Sequence, residues 1–69
     1  MTLGRYMTVE PVGTVPHETW VVKGASGEML ATVEWYAPWS RYVLSPDSDA
    51  VFSADCLRDL ATFVARVGP

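Results

Sequence analysis

The chain reads as a small α+β domain: a three- or four-stranded antiparallel meander with one C-terminal α-helix packed across one face. Three observations predict this. Short β-branched and aromatic runs alternate with turn signals at hairpin spacing. A sustained helical period occurs once, at the C-terminal end. A length of 69 residues leaves room for one core, so residues 1–69 form one domain.

Arg5–Glu10 is expected to be a short strand, ended by Pro11-Val-Gly13. Pro16 holds Val15-Pro16-His17 extended and leads into Thr19-Trp-Val-Val-Lys23, whose residue types favour a strand. Gly24-Ala-Ser-Gly27 turns the chain into the longest strand, Glu28–Tyr36. Ala37-Pro-Trp-Ser40 turns it again, and Arg41–Leu44 returns before Ser45-Pro46 stops it. If both loops hold four residues, Lys23 faces Glu28, Val22 faces Met29 and Trp20 faces Ala31. Across the second turn, Arg41 faces Tyr36, Tyr42 faces Trp35 and Leu44 faces Val33. One face then carries Trp20, Val22, Met29, Ala31, Val33, Trp35, Tyr42 and Leu44 without a charge, and is the expected core. The reverse face carries Thr19, Val21, Leu30, Thr32, Glu34, Tyr36, Arg41 and Val43, too apolar for plain solvent surface and in need of a partial cover.

The helix is expected over Ala54–Val67, with Ser53 as its cap, Asp55 at its positive end and Gly68-Pro69 to stop it. Cys56, Leu57, Leu60, Ala61, Phe63, Val64 and Val67 share one apolar arc of about 160° at 100° per residue. The Trp20/Trp35/Tyr42 face of the sheet is the comparable surface for it to pack on.

Composition narrows the function. Apolar residues make up 49% of the chain and charged residues 19%, which is too hydrophobic for a disordered segment. A net charge of −3 argues against a nucleic-acid or membrane partner, since both need positive charge. One cysteine excludes an internal disulfide framework and any Cys-rich zinc site, so dense aromatic packing or self-association must offset the small core. Without an apolar run near 18 residues or a signal-like start at Met1-Thr-Leu-Gly-Arg-Tyr6, the expected location is the cytoplasm.

Catalytic chemistry finds little support. Cys56 in the first helical turn has the dipole that lowers a thiol pKa, with His17 as a base, but its place in the apolar arc reads as an inert core thiol. His17 lacks companions for a metal site, Ser53 serves as a cap, and Gly24-Ala-Ser-Gly27 is a turn rather than a phosphate loop. Glu10, Glu18, Glu28 and Glu34 have no spacing that pairs them for acid–base work. The chain is therefore expected to be no enzyme and to use no cofactor or metal.

Trp35-Tyr-Ala-Pro-Trp-Ser-Arg-Tyr42 is different, because four aromatics and an arginine surround one turn. Tyr36, Trp39 and Arg41 lie at its tip and on the reverse face, where they are expected to bind a ligand or partner. The alternative is that Trp39 folds back as a lid over the sheet.

The pattern His17-Glu-Thr-Trp20, Gly27, Leu30, Val33-Glu-Trp-Tyr-Ala-Pro-Trp39, Arg41-Tyr42, Pro46, Val51-Phe52, Cys56-Leu57, Asp59 and Phe63 resembles a family of short phage and prophage proteins. The resemblance covers residues 17–64 and implies a setting, a phage-type accessory protein in a bacterial host cytoplasm, with no catalytic residue to transfer. Members often carry Arg after the Pro-Trp pair, where this chain has Ser40, so a role for that Arg does not carry over.

Two readings follow. In the first, a self-associating, non-enzymatic protein holds a small nucleotide-like ligand, such as a nucleotide-derived immune signal, or a host protein on its Tyr36/Trp39/Arg41 hairpin. In the second, the chain is a structural or protein-interaction module without a small ligand, and Val21, Leu30 and Val43 on the reverse face form a homo-oligomer seam.

Overall fold

The computed structural model describes residues 1–13 and 17–68. Five antiparallel strands lie in sequence order: β1 (Thr2–Leu3), β2 (Met7–Gly13), β3 (Thr19–Gly24), β4 (Met29–Tyr36) and β5 (Arg41–Pro46). Helix α1 (Ala54–Val67) follows and packs on one face. The meander-plus-helix class is as the sequence predicts, with five strands in place of three or four. The extended path expected for Val15-Pro16 and the stop expected from Pro69 fall outside the described residues.

The extra strand comes from the N-terminus. Gly4 turns the chain at φ +65, a backbone conformation open to glycine, and a Cβ there would collide with the Asp59 carboxylate on α1. Arg5 and Tyr6 thus belong to this turn rather than to a strand starting at Arg5. Pro11, expected to end β2, instead lies within it, opposite Trp20. Val9 N–H donates to Met1 O at 2.8 Å, so Val9 turns its backbone groups toward β1. Two residues on, Pro11 faces the same side, beyond the end of β1, where its missing N–H breaks no ladder bond.

The hairpin between β4 and β5 has the expected register: Tyr36 faces Arg41, Trp35 faces Tyr42 and Val33 faces Leu44. The β3–β4 hairpin does not. Trp20 faces Val33 rather than Ala31, Val22 faces Ala31 rather than Met29, and Lys23 faces Met29 rather than Glu28. An irregularity between Val22 and Lys23 takes up the difference, and Glu28 folds back to accept the Ser26 N–H at 3.1 Å instead of pairing with Lys23. For Trp20 and Val22 the shift is two residues, which keeps them, Ala31 and Val33 on the expected face; at Lys23 it is one, which sets Met29, expected in the core, opposite a reverse-face residue.

The core accordingly holds Val22, Ala31 and Val33, joined by Met7 and Val9 from β2 and by Leu60 and Phe63 from α1. Trp20 meets Phe63 edge to face, with centroids 5.2 Å apart. Tyr42 and Leu44 pack at the margin of the same cluster. Met29 and Trp35 do not: Met29 is exposed next to the irregularity, and Trp35 is half-buried outside the cluster, against His17 and Tyr42.

Helix α1 has the predicted bounds. The Ser53 hydroxyl accepts the Cys56 N–H at 3.2 Å, Asp55 lies in the first turn and Gly68 ends the helix in an extended conformation. Its roll differs from expectation. Leu57 and Ala61 are exposed, while Asp59, outside the apolar arc, is half-buried beside Gly4. At 100° per residue this is a roll of roughly 50° toward β1. Phe63 thereby reaches Trp20, and the Leu57/Ala61 flank stays open on the β5 side.

Candidate functional site

The β4–β5 turn is a single 3₁₀ turn, Ala37–Trp39, with Pro38 in its first positions. Ser40 closes it at φ 51 and ψ 48, a left-handed conformation uncommon for a residue with a Cβ. Its N–H donates to Ala37 O at 3.0 Å and its hydroxyl approaches the same oxygen at 3.5 Å. This geometry sends Trp39 away from the core. Trp39 is 64% exposed and Tyr36 41%, and their rings meet edge to face at 5.1 Å. The lid alternative for Trp39 therefore does not hold. Arg41, also exposed, lies opposite Tyr36 across the strands. Tyr36 and Trp39 thus form an exposed pair of rings, and Arg41 is exposed on the facing strand.

The same hairpin is anchored from below. Trp35 packs edge to face on Tyr42 at 5.7 Å and stacks on His17 at 4.3 Å. The Tyr42 hydroxyl donates to Glu18 O at 2.9 Å, tying the hairpin to the segment that enters β3. His17 is thereby engaged as a stacking partner. Periodicity does not reveal this contact, because a residue on a connection has no periodic face.

Cys56 is half-buried and packs against the core near Met7 and Gly24. Gly24 and His17 lie at opposite ends of β3, so the thiol and the imidazole are not brought together as nucleophile and base. No three His, Cys, Asp or Glu side chains converge on a point among the described residues. No helix of the described residues is long and apolar enough to cross a membrane.

The reverse-face residues are less of a unit than the sequence suggests. Val21 and Val43 are half-buried, but Thr32, Glu34 and Ser45 lie around them, and Lys23 pairs with Glu10 at 3.9 Å on the same face. Leu30 packs against the core cluster. A second feature was not read from the sequence at all. A groove of about 650 Å³ runs between α1 and β5, lined by Tyr42, Leu44, Leu57, Leu60, Ala61 and Val64, with Arg41 at its corner.

Compared with known proteins, the chain matches no family model, no curated sequence and no solved structure.

Proposed function

We propose that this is a non-enzymatic binding protein that holds a planar, anionic small ligand of nucleotide type on the Tyr36/Trp39/Arg41 hairpin. Trp39 carries the reading. Its indole is 64% exposed, touches Tyr36 and lies outside the core cluster. An exposed tryptophan beside a tyrosine and an arginine is the composition of a binding hot spot, and stacking on a base contributes about 1–3 kcal/mol. Arg41 supplies the cation for a phosphate, as a forked donor that takes two oxygens at once. The net charge of −3 does not cancel it, because charges farther than about 8 Å are largely screened at physiological salt. The resemblance to short phage proteins agrees with such a role, in which the protein withholds a nucleotide-derived signal inside an infected bacterial cell.

The test is native mass spectrometry of the protein purified from phage-infected cells, together with tryptophan-fluorescence titration against linear and cyclic nucleotides. The expected result is a retained adduct of nucleotide mass that disappears in Trp39→Ala and weakens at least tenfold in Arg41→Ala. A host protein in the spectrum without a small adduct would replace the ligand class. An unliganded spectrum and flat titrations would overturn the proposal.

A further inference from the structure

The two edges of the sheet are not equivalent. On one side β1 covers two residues of β2, and beyond it stand Pro11, without an N–H, and an irregularity between Pro11 and Gly13. Short strands, prolines and bulges are the usual devices that stop an edge from pairing. On the other side β5 is six residues long, with proline only at its last position. Asp47 N–H donates to Leu30 O at 2.9 Å. By alternation Arg41, Val43 and Ser45 turn their backbone groups toward β4, and Tyr42 and Leu44 turn theirs to the open edge.

That pattern is self-complementary. We infer that two copies of this chain pair edge to edge through β5, antiparallel and centred on Val43. In this register Val43 meets Val43 of the second copy, and Tyr42 meets Leu44 of the second copy, twice. Each such Tyr42–Leu44 pair exchanges two backbone hydrogen bonds, so the N–H and C=O groups of both residues are satisfied in both copies. Arg41 comes opposite Ser45 of the second copy, whose hydroxyl donates to Glu34 at 3.4 Å in its own chain. Neither Arg41 nor Glu34 has a salt-bridge partner among the described residues, and the register brings these opposite charges onto one face, with Glu34 of the second copy one strand beyond Ser45, twice. With its five donors, Arg41 serves this contact and the hairpin together.

The two-fold axis stands perpendicular to the joined sheet and leaves both helices on one face, with their Leu57/Ala61 flanks toward each other above the joined edges. The roll of α1 that exposes Leu57, at 53%, thus leaves an apolar flank beside the edge that remains to be paired. This inference rests on the β5 edge and not on the ligand reading. It also moves the seam from the reverse face, expected at Val21, Leu30 and Val43, to the edge, with Val43 common to both.

Sedimentation equilibrium of the unmodified chain at ~50 μM is the first test, with a mass of twice 7.6 kDa expected. A monomer at that concentration overturns the inference, whatever the titrations show for the hairpin. Register is read by cysteine cross-linking in a Cys56→Ala background. Directly opposed positions at the axis lie about 4.5–5.5 Å apart between Cβ atoms, so Val43→Cys is expected to oxidise to a covalent dimer, whereas Val21→Cys, two strands inside, is not. Cross-linking through Val21→Cys but not Val43→Cys would mean that the copies pack face to face, and the edge pairing is then wrong. Because the 69-residue chain is short enough for synthesis, N-methylation of Leu44 gives an independent check that leaves the β4 ladder intact. It is expected to yield a folded monomer, and an unchanged dimer mass would count against the edge.

Discussion

Two turns flank β4, and they are built from different materials. The turn at Gly24-Ala-Ser-Gly27 uses residues whose chemistry favours turning. Gly27 takes φ +86 without a Cβ to strain, its N–H donates to Gly24 O at 2.9 Å, and Glu28 folds back onto the Ser26 amide. The turn at Ala37-Pro-Trp-Ser40 places serine where glycine would be unstrained and leaves an indole 64% exposed. Burying that ring would contribute about 2 kcal/mol or more, so this turn forgoes stability that the first one does not. Strain and an exposed ring in one tight turn are what the proposed binding hairpin requires.

The largest test of that contrast lies within the second hairpin. Trp35 and Trp39 are four residues apart and both lie outside the core cluster, but Trp35 is half-buried between His17 and Tyr42 whereas Trp39 is 64% exposed. Trp35→Ala is expected to cost about 3 kcal/mol, which lowers the thermal midpoint by roughly 12 °C or more in a domain of this size. Trp39→Ala is expected to stay within about 0.5 kcal/mol, as surface changes do. Urea and thermal unfolding followed by circular dichroism measure both. Equal losses would make Trp39 a structural residue and remove the main support for the binding hairpin.

The same pair of turns shows what the sequence could and could not convey. The second loop's length sets its register, and its pairs are found as expected from Tyr36–Arg41 inward. In the first hairpin, the partners of Trp20 and Val22 lie two residues from expectation, which preserves their face, so the core membership of Val22, Ala31 and Val33 was legible while their partners were not, and beyond the irregularity at Val22/Lys23 the exposure of Met29 was not legible either. The bounds of α1 were legible because a cap and a stripe mark them. Its roll was not, since an arc of about 160° is wider than one contact line, and the Trp20–Phe63 and Gly4–Asp59 approaches select which part is buried. β1, two residues long, has no period to detect, and Pro11 signals an end unless one knows that it faces an open edge. The exposure of Trp39 was equally unreadable, because alternation governs strand residues and not the tip of a turn.

A smaller effect probes the first turn. Nothing lies within 4 Å of a Cβ built on Gly27, so Gly27→Ala meets no neighbour and reports backbone strain alone. At φ +86 the expected cost is about 1–2 kcal/mol, read from the urea midpoint with an unchanged slope. A negligible cost would show that this turn has conformational slack, and the contrast with Ser40 would lose its meaning.

The smallest effect is expected at Ser40 and has the opposite sign. Ser40→Gly removes the Cβ from a left-handed residue and gives up one long hydroxyl contact at 3.5 Å, while the glycine adds freedom to the unfolded chain. The relief of strain exceeds the other two terms by a small margin, so the variant should be more stable by about 0.5 kcal/mol, visible as a rise in midpoint of roughly 2–4 °C. The same change loosens the peptide that carries Trp39, and a preorganised platform binds more tightly than a mobile one. Stability up and nucleotide affinity down, in one variant, is the signature of a turn shaped for contact. A loss of stability in Ser40→Gly would instead mean that the serine holds the hairpin closed, and the strain argument for this turn would fail.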